Sequence, residues 1–187
     1  MAGDSQWERM VRGLEYYPGD PHLQRLHQRA LELCLRLNSL SERPSPEYLS
    51  LCRELLGSIG EGSVICANFF CDYGLNIRLG AGCYINYSCV FLDCAPITLG
   101  EGVLVGPQCG LYTAIHPLES EARSRGIETA KPITLGDRVW LGGGVTVLPG
   151  VEIGERTVVG AGSVVTRSLP AGVLAMGNPC RVVRSLE

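Results

Sequence analysis

The chain carries three histidines, and only one, His116, falls in its repetitive half. It stands in TAIHP, at the root of a long polar stretch, and Pro117 after it restricts its backbone. An imidazole titrates near neutrality and can take a proton from a hydroxyl, so His116 is the candidate general base. His22 and His27 lie in an amphipathic N-terminal stretch, where surface or packing roles are expected. Nine cysteines raise a metal or disulfide reading, but there is no CxxC pair and the number is odd. Cys83, Cys89 and Cys109 occupy the small position of a repeat and are expected to act as small buried hydrophobes. A net charge of −3 predicts no general attraction to nucleic acid or anionic membrane. No apolar run approaches the roughly 20 residues that span a bilayer. The opening MAGDSQWERM lacks a signal-peptide pattern, so a cytoplasmic protein is expected.

A single base needs a rigid frame, and the stretch from Ile133 to Thr166 supplies one. Leu135, Leu141, Val147, Ile153, Val159 and Val165 fall six apart, and all are branched and apolar. Gly136, Gly142, Gly154 and Gly160 follow four of them, and Val139, Val145, Val151, Thr157 and Ser163 recur at a second position. No helix has period six. The pattern predicts a mainly β fold, a parallel β-helix of hexapeptide type in which about three hexapeptides close a triangular coil. The glycine after each apolar residue is expected to supply the positive φ of the corner. Coils stacked about 4.8 Å apart pair their backbones above and below.

Upstream, Leu79, Ile85 and Phe91 keep the period, as do Leu99, Val105 and Leu111. The step from Phe91 to Leu99 is eight, which places two extra residues near Pro96. Residues 1–57 read as helical. Asp20-Pro21 predicts a capped helix start, and SERPSP precedes a third short helix over Pro46 to Leu56. Residues 58–187 form the β-helix, with a loop thrown out near 112–132 and a closing tail, MGNPCRVVRSLE. A loop that long in a compact domain points to function. A zinc hydratase on such a frame typically needs three protein ligands, often three His, which the repeat region lacks. A sugar-nucleotide pyrophosphorylase needs a larger N-terminal domain than 57 residues provide.

The segments CDYGLNIRLG, CYINYSCVFLDCAPITLG, YTAIHP, KPITLGDRVWLGGG, GAGSVVT and GNPCRVVR, in this order, resemble the maltose and galactoside O-acetyltransferases, a group that includes the nodulation sugar acetyltransferases. The resemblance covers nearly the whole chain. It implies a homotrimer of left-handed β-helices, with acetyl-CoA and a sugar acceptor bound between subunits and no catalytic metal. His116 matches the base. Gly143 matches the residue whose N–H stabilises the oxyanion. Asn86 matches an acceptor contact, and Asp72 and Asp93 lie in acceptor-side motifs. Trp140, Ala161, Thr166, Arg167, Arg181 and Arg184 match the CoA side, where guanidinium groups suit phosphate. The chain departs from the family at Tyr17-Pro18, where an Asp often follows the aromatic. It departs again at Cys94, where some galactoside enzymes carry an acid, at Ile115, usually a small residue, and at Arg167, usually Lys. These leave the donor side intact and bear on the acceptor. The expectation is an acetyl-CoA-dependent O-acetyltransferase acting on a sugar or small polyol. The alternatives are a non-catalytic trimeric scaffold and an acetyltransferase with a non-sugar acceptor.

Overall fold

The computed structural model describes residues 4–186. Three helices come first: α1 (Gln6–Val11), α2 (Pro21–Ser39) and α3 (Pro46–Leu55). Asp20 caps α2 as its sequence predicts, accepting the amides of His22 and Leu23 at 2.9 and 3.3 Å, with Pro21 in the first turn. Leu33, Leu37, Leu51 and Leu55 turn one apolar stripe of α2 and α3 onto the first coil. Two polar groups fix the join. Asn38 exchanges hydrogen bonds with the Phe69 backbone, and the Tyr48 hydroxyl accepts the Ile65 amide at 2.6 Å. The helices thereby cover the open lower end of the coil stack, where an exposed edge would invite pairing with another chain.

From Ser58 onward the chain winds as a left-handed parallel β-helix with three faces. Strands at Ile77–Leu79, Ile97–Leu99 and Ile133–Leu135 belong to the first face. Tyr84–Ile85, Leu104–Val105 and Trp140–Leu141 belong to the second, and Val90–Leu92, Gly110–Tyr112 and Thr146–Val147 to the third. The six apolar ladder residues from Leu135 to Val165 are all at most 2 % exposed. Each contributes roughly 1.5–3 kcal/mol by leaving water. Cys83, Cys89 and Cys109 are buried at the corners, and their thiols lie 3.1, 3.3 and 3.1 Å from the carbonyls of Gly100, Gly106 and Gly142 in the next coil. The tail folds back as an antiparallel pair, Val173–Gly177 with Cys180–Ser185, on the last strand of the second face.

The glycines after the apolar residues do not do what the sequence suggests. Positive φ falls two places later, at Arg138, Gly144, Arg156 and Gly162. Gly136 and Gly142 are small for another reason. A Cβ on either would stand 2.6 Å from a backbone nitrogen of the coil above, Glu155 and Ala161 respectively. Coil spacing at the corner, not backbone handedness, excludes a side chain there.

The corner between the third and first faces is wider than the others in two coils. Asp93, fully buried, accepts the amides of Tyr73 at 2.8 Å and Asn76 at 3.2 Å, and so folds the extra residues of the coil below. Thr113, twenty residues on, does the same for the next coil. Its hydroxyl accepts the Ala95 amide and donates to the Leu92 carbonyl. At the third such corner the long loop leaves the prism.

Candidate active site

The loop has structure of its own. Ala114–Ile115 pairs antiparallel with Thr129–Ala130, and a short helix, α4 (Ser120–Ser124), sits in the excursion between them. The register, Ala114 with Ala130 and Ile115 with Thr129, puts His116 opposite Glu128. The His116 Nδ1 lies 3.5 Å from the Glu128 Oε1. The other carboxylate oxygen accepts the Tyr16 hydroxyl at 2.7 Å. Tyr16 and Glu128 also exchange both backbone hydrogen bonds at 3.0 Å, so the N-terminal segment extends the stem by one bridge. A carboxylate beside Nδ1 favours the tautomer with the proton on that nitrogen, which leaves Nε2 as the basic one. The His116 side chain is 59 % exposed and its partner Glu128 15 %, so the imidazole is reachable while its orienting group is held.

This pair forms one wall of a cavity of about 270 Å³. The opposite wall comes from α2 and the wide corner below. Asp72 lies there, with its Oδ2 3.4 Å from the Cys94 thiol and its Oδ1 3.8 Å from His27 Nδ1. Burial raises the Asp72 carboxyl above its ordinary range, opposed by the Cys94 thiol and His27. Burial likewise pushes the Tyr16 and Tyr73 phenols and the Cys94 thiol up, so all three stay protonated as hydrogen-bond donors at neutral pH. The lining includes two carboxylates and no Lys or Arg.

Of the acceptor-side candidates, Asp72 lines this cavity with His116. Asp93 does not reach it: the carboxylate is spent on two backbone amides below the surface. Asn86 is elsewhere too, on the corner between the second and third faces, with its Oδ1 accepting the Tyr87 amide at 2.8 Å. Gly143 and Ala161 stack on that same corner, where the Gly162 amide donates to the Gly143 carbonyl. Trp140 is half exposed on the second face beside Leu104 and Val158. Arg181 and Arg184 are exposed on the tail strand next to that face. Thr166 and Arg167 follow the last strand of the third face, exposed. Two of the departures from the family, Pro18 and Cys94, line the cavity, whereas Ile115 belongs to the hairpin stem.

Sequence reading did not single out Glu128, Tyr16 or Tyr73, and it expected a surface or packing role for His27, which lines the cavity. Only Glu128 left a signal, since a hairpin stem with the AIH and ETA segments paired would have set it opposite His116. The other three reach the site from the N-terminal segment and a corner, across sequence distances that no local pattern reports.

The β-helix thus holds an imidazole–carboxylate pair beside a small cavity of mixed polar and apolar lining. Residues 132–167 match the bacterial transferase hexapeptide family model, and residues 9–60 match the maltose acetyltransferase hexapeptide capping motif. A maltose O-acetyltransferase structure from Clostridium difficile 630 superposes with a TM-score of 0.96 at 39% identity, over 100% of both chains. A hexapeptide-repeat acetyltransferase from Vibrio cholerae, solved with acetyl coenzyme A, gives 0.92 at 38% identity, over 98% of this chain and 100% of that one. Nodulation protein L of Rhizobium meliloti is 44% identical over 178 residues, 95% of this chain and 97% of its own length. The chain belongs to the hexapeptide-repeat acetyltransferases, in the group of the maltose and galactoside O-acetyltransferases. No helix among the described residues is long and apolar enough to cross a membrane.

Proposed function

We propose that this chain transfers an acetyl group from acetyl-CoA to a hydroxyl of a sugar or similar small polyol, with His116 as general base. The observation that carries the reading is the His116 Nδ1 at 3.5 Å from Glu128, facing a cavity of about 270 Å³. That volume lies just below the roughly 300–1,000 Å³ of ordinary ligand pockets and suits a small acceptor. Glu128 holds the imidazole with Nδ1 protonated, so Nε2 takes the hydroxyl proton as the oxygen attacks. The Gly143 amide is the candidate donor to the developing oxyanion. Acetyl-CoA supplies the activated acyl group when bound. The residues on the second face fit it: Trp140 offers an exposed ring, Gly143 leaves its corner open, and Arg181 and Arg184 offer cations for phosphate.

We further propose that the working unit is a homotrimer with sites shared between copies. His116 and Asp72 stand at one corner of the prism, Asn86, Gly143 and Ala161 at another, and a third-face strand of two or three residues separates them. At about 3.3 Å per residue the two corners stand roughly 10 Å apart, beyond hydrogen-bond reach. A neighbouring copy can set its own second corner against this cavity. The testing experiment is thiol release from acetyl-CoA across a panel of sugars, polyols, amino acids and hydroxylated antibiotics. Sugar-dependent release is expected, and His116→Ala lowers kcat by at least roughly 10²-fold with assembly retained. A folded protein that releases no thiol with any acceptor would favour a scaffold. Near-wild-type turnover of the alanine variant would remove His116 from the role of base.

A further inference from the structure

Two imidazoles, not one, face the acceptor cavity. His27, on α2, lines it from the wall opposite His116. Its Nδ1 lies 3.0 Å from the backbone carbonyl of Asp72. A carbonyl oxygen only accepts, so in this contact Nδ1 carries the proton. In the neutral ring the lone pair then falls on Nε2, on a side chain that is 48 % exposed and lines the cavity. The ring is also braced. It meets Tyr73 edge-on at 6.2 Å between centroids, and Tyr73 packs edge-on against Trp7 at 5.5 Å. One turn earlier on α2, Gln24 lines the same wall and donates to the Pro18 carbonyl at 2.8 Å, which ties down the segment that enters the helix. An acceptor nitrogen with a fixed tautomer and a packed ring is a preorganised reader of a hydroxyl.

We propose that His27 is a specificity residue for the acceptor: its Nε2 accepts a hydrogen bond from a second hydroxyl of the substrate, while His116 acts on the first. The inference rests on the acetyl-transfer reading above and narrows it. It selects molecules with at least two hydroxyls held apart by a ring or rigid chain, and disfavours simple alcohols and singly hydroxylated acceptors. The Asp72 carboxylate beside it accepts from the same molecule. The absence of Lys and Arg from the lining fits a substrate that brings hydroxyl donors rather than an anionic group.

Two substitutions separate this role from a structural one. His27→Asn can keep the donor to the Asp72 carbonyl but has no acceptor at the Nε2 position. His27→Gln can place its side-chain oxygen near that position. For a sugar that the wild type acetylates, His27→Asn raises acceptor KM about 3- to 10-fold with kcat and the KM for acetyl-CoA within about 2-fold. His27→Gln recovers most of the loss. Removing one hydroxyl from the sugar at a time then yields one deoxy analogue that raises KM for the wild type but not for His27→Asn. Equal penalties in both proteins for every deoxy analogue, or an unchanged KM in His27→Asn, overturn the proposal while leaving His116 in place. No sugar-dependent thiol release by the wild type would instead overturn the acetyl-transfer reading, and this inference with it.

Discussion

At the scale of single residues, carboxylates do opposite work in this molecule. Glu128 is partly exposed and orients an imidazole; Asp93 is sealed in and orients backbone. Glu128→Gln offers either an oxygen or a nitrogen to His116 and loses the charge that stabilises the imidazolium. It is expected to lower kcat at least about 10-fold, with little change in the KM for acetyl-CoA. Steady-state kinetics across both substrates checks it, and an unchanged kcat would show that the pair is only a packing contact. Asp93 has a pH signature instead. Burial pushes its carboxyl from the ordinary 3.8 up to about 6, against the lowering pull of the amides it accepts. The folded chain therefore holds that proton more tightly than the unfolded one. The resulting stability is fully present below about pH 3.8 and is lost as pH rises through about 6. Relative to Asp93→Asn, wild-type unfolding free energy should fall by about 2 kcal/mol between about pH 4.5 and pH 7. Urea titrations of both proteins measure this, and a pH-independent difference would place the folded pKa back in the usual carboxylate range.

At the scale of elements, the coil corners distinguish two kinds of glycine. Gly136 has no room above it, because a Cβ would press to 2.6 Å from the Glu155 nitrogen. Gly62 has nothing within 4 Å but stands at φ +73°. Gly136→Ala is expected to cost about 1–3 kcal/mol through overpacking against rigid backbone. Gly62→Asn should cost under about 1 kcal/mol, because Asn tolerates the left-handed region and Asn68 and Ser88 already occupy it. Thermal or urea unfolding ranks the pair, and the reverse order would contradict the close-approach account. The contrast also explains what could be read from sequence. A six-residue period is a local rule repeated many times, so Leu135 to Val165 announced the prism and its inward faces. The roles within the turn were not legible, because the residue after the apolar one contacts a coil about eighteen residues away. Around the cavity, the sequence singled out His116, Asp72, Pro18 and Cys94 but not what joins them. His27 reaches Asp72 across 45 residues, and Tyr16 reaches Glu128 across 112. Neither separation belongs to any repeat. Asp93 shows the same limit: its motif runs on into the acceptor side, while its side chain turns inward to fold a corner.

At the scale of the whole molecule, the proposed reading makes a single prism an incomplete enzyme. His116, Glu128 and Asp72 occupy the corner where the third face meets the first, and Asn86 and Gly143 occupy the next corner round. Helices seal the lower end and the antiparallel tail covers the last strand of the second face, so copies are expected to meet side by side. Three prisms related by a three-fold axis can set one corner of each against the other corner of its neighbour, closing three equivalent sites. This arrangement has a consequence that a site built within one chain lacks. His116→Ala and Asn86→Ala should each be nearly inactive as pure proteins. Unfolded, mixed in equal amounts and refolded together, they should regain activity, because one site in the mixed assembly can draw an intact His116 from one chain and an intact Asn86 from another. Random association gives such a site about a quarter of the time, so roughly a quarter of wild-type specific activity is expected. If both residues served one site from the same chain, every site in the mixture would carry one of the two lesions and none would recover. Refolding the variants separately and mixing them afterwards provides the control, and it should stay inactive for as long as the assemblies do not exchange subunits.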